Sequence, residues 1–186
     1  MTPHALRAAA RCLRRGGLVL LPTEGVWGLS CDPLNPHAVW RLLSAKRRPL
    51  HKGLILTAAQ TSQLAPFVAD TPDGRKAFST AEQDWPGPIT WVCPARAETP
   101  YWLTGGQRGI ALRVTAHPVL AALSEAFGSA LVSTSANRAG RPAALRSWQA
   151  RQQLGTAIEA VLPGQLTRPG RPSTIRSAFD QRILRA

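Results

Sequence analysis

The sequence predicts a protein of the α/β class (mixed α+β) that forms one domain over residues 1–186. Short apolar runs bounded by Pro or Gly alternate along the chain with stretches that carry apolar residues at helical spacing. We find no internal repeat and no linker that would divide the chain. Apolar residues make up 44% of the sequence, which is enough to build a packed core.

The first half of the chain begins with a predicted helix over 3–15, which Gly16-Gly17 ends. The apolar run 18–21 stops at Pro22 and predicts a buried strand, and 26–30 continues as a second extended segment. Asn35 or Pro36 opens a helix that carries Val39, Leu42 and Leu43 on one face to about residue 45. A strand over 53–57 and helices over 61–67 and 73–85 follow.

In the second half, Pro86-Gly87-Pro88 breaks the preceding helix, and a strand is predicted over 89–92. The alternating segment 109–114 is typical of a strand, and the amphipathic segment 117–127, closed by Gly128, is typical of a helix. A strand over 131–134 leads into Ser-Ala-Asn. Segments 138–142 and 162–172 are predicted loops, and 173–177 with 181–184 are predicted as a final pair of extended segments.

The charge of the chain is strongly unbalanced. Lys and Arg number 23 against 10 Asp and Glu, which gives a net charge of +13. Such a surplus attracts nucleic acids, nucleotide phosphates or anionic surfaces. A solvated basic surface in an arginine-rich protein is the alternative, and the charge alone does not exclude it. Two of only three lysines, Lys46 and Lys52, lie close together, which indicates a local need for compact positive charges.

The cysteines and the apolar runs exclude several other classes of protein. Cys12, Cys31 and Cys93 form no close pair, so we expect reduced thiols rather than disulfides or a zinc site, and no resident metal. The longest apolar runs are too short to cross a bilayer, and arginines interrupt the N-terminal segment where a signal peptide would need an apolar core. We therefore expect a cytoplasmic protein that does not contact membranes.

Two segments place charged or polar groups at the ends of secondary-structure elements. Thr23-Glu24 follows a buried strand, a common position for ligand-binding groups, although Glu24 could also lie in solvent at a turn. Lys46-Arg47-Arg48-Pro49 and Lys52 bring four positive charges to the end of a helix. The helix dipole alone favours cations there, but their density suits a triphosphate. The sequence lacks the glycine-rich pattern of a P-loop.

Hydroxyl groups and one strand arginine complete the candidate residues. Ser133-Thr134-Ser135-Ala136-Asn137 follows an apolar strand and could bind a phosphate, a ribose or an amino acid, or could serve only as a turn and helix cap. No nucleophile elbow surrounds these serines, which argues against a serine hydrolase. Arg113 lies either on an exposed face of its strand or at an internal anion site. Ser173-Thr174 opens a late strand.

Together these segments resemble the YrdC-like threonylcarbamoyl-adenylate synthases in their short bacterial form, over nearly the whole chain. The motifs that carry the resemblance are, in chain order, Pro22-Thr23-Glu24 with Gly28-Leu29, Cys31-Asp32-Pro33, Lys46-Arg47-Arg48-Pro49, Lys52-Gly53-Leu54-Ile55, Trp85-Pro86-Gly87-Pro88 with Thr90, Trp102-Leu103-Thr104-Gly105, Leu112-Arg113-Val114-Thr115 and Ser133-Thr134-Ser135-Ala136-Asn137. Each motif is weak alone, but their order and spacing are specific.

The resemblance implies a twisted sheet with flanking helices around a basic concave cavity. It also implies a reaction in which L-threonine, bicarbonate and ATP form threonylcarbamoyl-AMP and pyrophosphate, with Mg²⁺ accompanying ATP. Catalytic positions implied by the resemblance are Lys46, Arg48, Ser135 and Asn137. ATP-binding positions implied by it are these four with Lys52, Ser133 and Thr174, and threonine-binding positions are Thr23, Arg113 and Ser173.

The resemblance further implies that the product passes to a complex that modifies an adenosine of tRNA, and the basic surface could contact tRNA directly. The sequence departs from the family at Gly25, where Thr or Ala is frequent, and at Trp27, whose larger ring we expect to tighten the pocket. No extra C-terminal domain is evident. The competing interpretations are a non-catalytic RNA-binding module that uses the same basic cavity, and a carbamoyl-transferring enzyme with a related domain.

Overall fold

The computed structural model describes residues 2–185, so residues 1 and 186 of the predicted domain lie outside it. The described residues form a nine-stranded mixed sheet with flanking helices, which confirms the predicted class. The strands are β1 (Val19–Pro22), β2 (Trp27–Ser30), β3 (Ile55–Ala58), β4 (Ile89–Pro94), β5 (Gly109–Val114), β6 (Leu131–Ser135), β7 (Ala160–Val161), β8 (Thr174–Ser177) and β9 (Ile183–Arg185). The α-helices are α1 (Pro3–Arg14), α2 (Pro36–Lys46), α3 (Pro72–Glu82), α4 (Tyr101–Thr104), α5 (Pro118–Phe127) and α6 (Ser147–Leu154).

The order of the strands brings distant parts of the chain together at the centre of the sheet. The order is β7-β1-β2-β6-β3-β5-β4-β8-β9. Strand β6 lies between β2 and β3 and runs antiparallel to both, whereas β3 and β5 are parallel. Strand β4 is antiparallel to β5 and parallel to β8. Four polar segments therefore meet around β3. Three of them follow or lie on β1, β5 and β6, and the fourth opens β8.

Helices pack against both faces of the sheet at β1, while one face is left open over the central strands. Successive residues of a strand point to opposite faces, and in β1 Leu20 belongs to one core cluster whereas Val19 and Leu21 belong to the other. Helices α2 and α6 pack on the first face, and α1 and α5 pack on the second. Burial of both faces explains why β1 reads as a continuous apolar run in the sequence.

Side-chain caps and prolines set where three of the helices begin. The hydroxyl or amide oxygen of Thr2, Asn35 and Thr71 accepts a hydrogen bond from the backbone N–H three residues later, and Pro follows each at the first helical position. Helix α2 ends where Arg47 takes a left-handed conformation with φ of 51°. The backbone N–H of Arg48 then donates to the carbonyl of Leu43 at 2.9 Å, which closes the helix just before the polar loop.

Most predicted elements are confirmed, but three regions differ. The predicted helix over 61–67 is two 3₁₀ turns, because Pro66 cannot donate the hydrogen bond that one continuous helix would need there. The helix predicted over 73–85 is α3, which ends at Glu82. Helices α4 and α6 and strand β7 were not predicted. Helix α6 buries only Ala150 and Leu154, a stripe too sparse to show in the sequence pattern.

The three cysteines are unpaired in the structure. Cys12, Cys31 and Cys93 are all free thiols, and burial raises the pKa of each. Over residues 2–185 no group of three or more potential metal-binding side chains comes together. Within the same range, no helix is long and apolar enough to cross a membrane.

Leu56 is fully buried in β3 at the centre of the sheet, so its truncation tests the assigned hydrophobic core. Replacing Leu56 with Ala should lower the free energy of unfolding by about 2–5 kcal/mol, because the cavity left behind refills only partly. The matched control is Leu34→Ala, since 58% of Leu34 is exposed and its truncation should change stability by less than about 0.5 kcal/mol. Urea unfolding followed by circular dichroism gives both values, and equal values would contradict the assigned core.

Candidate active site

A cavity of about 450 Å³ lies over the centre of the sheet. Its floor is formed by residues that share one face of the central strands: Ile55 of β3 is paired with both Ala111 of β5 and Ser133 of β6, and all three line the cavity. Arg113 and Ser135 lie two residues further along their strands and therefore face the same side. The sheet topology thus explains why separate motifs converge.

Seven of the ten predicted site residues line this cavity, and three do not. The seven are Thr23, Arg48, Lys52, Arg113, Ser133, Ser135 and Ser173. The other three, Lys46, Asn137 and Thr174, do not line it. The wall also contains Gln107 and Arg185, to which the sequence analysis gave no role, and Glu24 and Thr104, which belong to motifs but were not among the ten site residues.

Arg113 and Glu24 form a buried ion pair in the cavity wall. Each residue is only 6% exposed, and the Nη2 atom of Arg113 lies 3.3 Å from Oε2 of Glu24. The other carboxylate oxygen, Oε1, accepts a hydrogen bond from the hydroxyl of Thr115 at 2.6 Å. The structure therefore decides both alternatives left open by the sequence: Arg113 lies within the fold at the cavity, and Glu24 does not lie in solvent.

Two further arginines face the cavity beside Arg113. Arg48 donates to the carbonyl of Gly53 at 2.9 Å, and Arg185 donates to the carbonyl and hydroxyl oxygens of Ser173 at 2.7 and 3.1 Å. Burial, with the nearby charge of Arg185, lowers the pKa of Arg48. Burial, with the nearby charge of Arg113, lowers the pKa of Arg185. The three guanidinium groups are thus close enough to repel one another.

The cavity is consequently a site for anions. Four cationic residues line it (Arg48, Lys52, Arg113 and Arg185), whereas Glu24 is the one acidic residue in its lining. Like charges held together at partial burial are stabilised when an anion binds between them. The sequence analysis missed Arg185 because nothing near the end of the chain distinguishes it from the many exposed arginines. Only the pairing of β8 with β9 shows that Arg185 lies at the cavity.

Lys46, which the resemblance implied as a catalytic and ATP-binding residue, lies beneath the cavity wall and does not line the cavity. It is 4% exposed, and its Nζ atom donates hydrogen bonds to the carbonyls of Ser135 and of Asn137, the latter at 2.8 Å. Burial, and to a smaller extent the charge of Arg48, lowers the pKa of Lys46 to about 7. Lys46 thereby connects the end of α2 to the segment that follows β6.

Asn137 and Thr174 also lie behind the cavity lining. The side-chain amide of Asn137 donates to the carbonyls of Arg138 and Arg141, at 3.1 and 2.6 Å, and so holds the loop that follows β6. Thr174 is the first residue of β8, and the adjacent Ser173 is the one that lines the cavity. Asn137 thus shapes the wall in this structure, and Thr174 places Ser173.

The segment 162–172 closes one side of the cavity over Glu24 and Gly25. The backbone N–H groups of Arg168 and Gly170 donate to the carbonyls of Glu24 and Gly25, at 2.7 and 2.9 Å. A Cβ atom on Gly25 would lie 2.0 Å from the carbonyl oxygen of Arg171, so only glycine fits in this packing. The close approach of this loop therefore explains why residue 25 is glycine rather than the threonine or alanine noted in the sequence analysis.

Trp27 does not narrow the pocket, contrary to expectation. Its side chain is buried in the core cluster on one face of the sheet and does not line the cavity. The larger ring at this position fills space in the core, because residues of β2 point alternately toward opposite faces of the sheet. Gly28, the next residue, is the one whose backbone reaches the cavity.

Comparison with known proteins places the chain in a family. The Sua5_yciO_yrdC family model, with the description "Telomere recombination", matches residues 11–186. The chain belongs to this family. Among its relatives, the threonylcarbamoyl-AMP synthase of Alkalilimnicola ehrlichii is 49% identical over 184 residues, covering 97% of this chain and 95% of the relative. The threonylcarbamoyl-AMP synthase of Halorhodospira halophila is 50% identical over 183 residues, covering 98% and 95%.

Solved structures of the Sua5/YciO/YrdC family share the fold. P. abyssi Sua5 complexed with L-threonine superposes with a TM-score of 0.86 at 33% identity over 96% of this chain. This chain spans 52% of the length of that protein. E. coli YciO superposes with a TM-score of 0.83 at 21% identity, covering 99% of this chain and 89% of YciO, a likeness that shows the fold alone.

The buried position of Lys46 predicts a pH dependence of stability. In the unfolded chain Lys46 titrates near its ordinary pKa of 10.5, whereas in the folded protein its pKa is about 7. Between these values the unfolded state binds more protons, so the free energy of unfolding should rise with pH, by at most about 1.4 kcal/mol per pH unit. In Lys46→Met this contribution should disappear.

Urea unfolding between pH 6.5 and 9.5 gives the free energy of unfolding of wild type and Lys46→Met at each pH. The effect of Lys46 is the difference between the two slopes of this free energy against pH. Lys76→Met, which removes an exposed lysine from α3, is the matched control and should keep the wild-type slope. If Lys46→Met and wild type show the same slope, Lys46 does not titrate near neutrality.

Proposed function

We propose that this protein is an enzyme that condenses L-threonine, bicarbonate and ATP into threonylcarbamoyl-AMP, with release of pyrophosphate. This makes it a nucleotidyltransferase. The observation that carries the proposal is a concave cavity with four cationic side chains and a hydroxyl-rich floor, in a chain about 50% identical along its length to proteins named threonylcarbamoyl-AMP synthase. A volume of about 450 Å³ lies within the range of small-molecule sites.

Within this proposal Arg113 binds the carboxylate of threonine, with Thr23 and Ser173 beside it. Arg113 is the cation of the cavity lining that is most deeply buried, at 6% exposure, and its strand faces the cavity. A guanidinium group matches a carboxylate in charge and planar geometry. P. abyssi Sua5, which shares the fold at 33% identity, has been crystallised with L-threonine.

The phosphates of ATP bind Arg48, Lys52 and Arg185, which line the same cavity. Hydroxyl groups of Ser133 and Ser135 supply further donors. Mg²⁺ would enter with the nucleotide and be held mainly by phosphate oxygens and water, since the one carboxylate in the lining, Glu24, is already paired with Arg113 and Thr115. The bound Mg²⁺ would offset the negative charge of the phosphates.

The residues of the chain contribute to the reaction mainly by holding the reactants and stabilising charge. The carbamate formed from threonine and bicarbonate attacks the α-phosphate, and negative charge grows on the departing pyrophosphate. Arg48, Lys52 and Arg185 offset that charge from fixed positions. Confining three substrates to one cavity supplies a further part of the acceleration. Lys46 and Asn137 support the reaction by fixing the carbonyls and the loop that follow β6.

The proposed role places the protein before a tRNA-modifying step. Threonylcarbamoyl-AMP is an activated intermediate, and we propose that a separate transferase complex consumes it to modify an adenosine of tRNA. The names of the relatives favour the synthase over the RNA-binding module, and contact between the basic surface and tRNA remains part of the proposal. A binding module would lose RNA affinity with rising salt and would be indifferent to threonine.

The overall proposal is tested by the release of pyrophosphate from ATP and Mg²⁺. Release should require both L-threonine and bicarbonate, because the nucleophile is the carbamate formed from them. Omission of each component in turn provides the controls, and mass spectrometry of the product identifies the adenylate. Pyrophosphate release that is indifferent to threonine would exclude the proposed reaction.

Arg48 and its neighbour Arg47 form a matched pair for testing the phosphate site. Arg48→Ala should lower kcat/KM for ATP by about 10–150-fold, the effect of losing a charged hydrogen bond worth about 1.5–3 kcal/mol. Arg47→Ala removes an equal charge from an exposed residue outside the cavity lining and should retain near-wild-type kinetics. The assay is steady-state pyrophosphate release at saturating threonine. Equal losses in both variants would point to a general effect of charge instead.

A further inference from the structure

Glu24 is an unexpected residue in a cavity built for anions. It is nine-tenths buried, it lines the cavity, and its carboxylate stands beside Arg113, the residue proposed to bind a carboxylate of the substrate. A negative charge at this point weakens the attraction of the cavity for anions in general. Its presence therefore requires a reason other than the overall charge of the site.

The surroundings of Glu24 hold its side chain in one orientation. Oε1 accepts the hydroxyl proton of Thr115 at 2.6 Å, and the hydroxyl oxygen of Thr115 accepts the backbone N–H of His117 at 3.0 Å. The ring of His117 is in turn hydrogen-bonded to the carbonyl of Gln165, at 2.9 Å, in the segment 162–172. The backbone of Glu24 is fixed by the N–H of Arg168. Thr115 thus holds the carboxylate directly, while His117 supports Thr115 and the segment 162–172 holds the backbone of Glu24.

Two polar atoms of the ion pair stay without hydrogen bonds. Oε2 of Glu24 and Nε of Arg113 are both buried, and neither has a hydrogen-bond partner among residues 2–185. Buried polar atoms in proteins are nearly always hydrogen-bonded, so the side chains of this pair are held by their mutual charge rather than by a full set of hydrogen bonds. The Nη2 atom of Arg113 faces Glu24, which fixes the orientation of the guanidinium group in the cavity lining.

We infer that Glu24 is a positioning residue that orients Arg113 and reserves it for the carboxylate of the amino-acid substrate. The inference rests on the proposed function. It adds an explanation of how the cavity directs a carboxylate and a polyphosphate to different cationic residues. Glu24 offsets the charge of Arg113, so a polyphosphate gains more from Arg48, Lys52 and Arg185, which have no carboxylate beside them in the cavity lining. The singly charged carboxylate binds the aligned guanidinium of Arg113.

Glu24→Gln tests this inference, because it keeps the shape of the side chain and removes its charge. The dissociation constant for L-threonine, measured by isothermal titration calorimetry, should rise about tenfold, which corresponds to about 1.4 kcal/mol. The dissociation constant for ATP should stay the same or fall. Inorganic pyrophosphate should compete with threonine in the variant more strongly than in wild type, since Arg113 would then attract phosphate.

A second variant and a control separate positioning from a general loss of structure. Thr115→Val removes the hydroxyl that holds Glu24 and should weaken threonine binding in the same direction. Glu159→Gln removes a carboxylate that is paired with Arg41 outside the cavity, and it should leave threonine binding unchanged. Thermal unfolding and ATP binding show whether each variant is folded.

A double-mutant cycle with Arg113→Ala decides whether Glu24 acts through Arg113. If it does, adding Glu24→Gln to Arg113→Ala should change threonine affinity little. Additive losses, or wild-type threonine affinity in Glu24→Gln, would overturn the inference while leaving the proposed function intact. Failure of the wild-type protein to bind threonine would overturn the proposed function and the inference with it.

Discussion

Mutual repulsion among clustered cations is the constraint on which the arrangement of the cavity depends. Burial, together with the charge of a neighbouring arginine, lowers the pKa values of Arg48 and Arg185, in a protein whose net charge is already +13. Such a cluster persists only if the backbone beneath it is rigid. The central strands provide this rigidity, because they are hydrogen-bonded on both sides within the sheet and their face opposite the cavity is packed in the core.

Much of the fold could be predicted because local signals and tertiary structure agree. Strand β5 lies over the predicted residues, and α1, α2 and α5 begin within one residue of the predicted positions, since prolines and glycines mark their ends. Helix α6 was not predicted, because only two of its residues are buried and they form too short an apolar stripe. The strand order was not readable, because β6 inserts between β2 and β3, which begin 104 and 76 residues before it.

The candidate site was predictable where a motif lies on a strand that faces the cavity. Ser133, Ser135 and Arg113 occupy alternating positions, so their common orientation follows from the strand period. Lys46 could not be placed, because the sequence shows a charge near a helix end but not the two carbonyls that accept its hydrogen bonds. Glu24 and Arg185 depend on contacts with residues about ninety and twelve positions away, which no local pattern reports.

The contact between Gly25 and Arg171 has a consequence for how this scaffold can be altered. The carbonyl of Arg171 occupies the space that a side chain at residue 25 would need. Residue 25 must therefore be glycine whenever the segment 162–172 follows this path. A chimera that takes this segment from a family member with threonine or alanine at the corresponding position would have to take both parts together. Comparison of many family sequences should therefore show residue 25 and this segment varying in step.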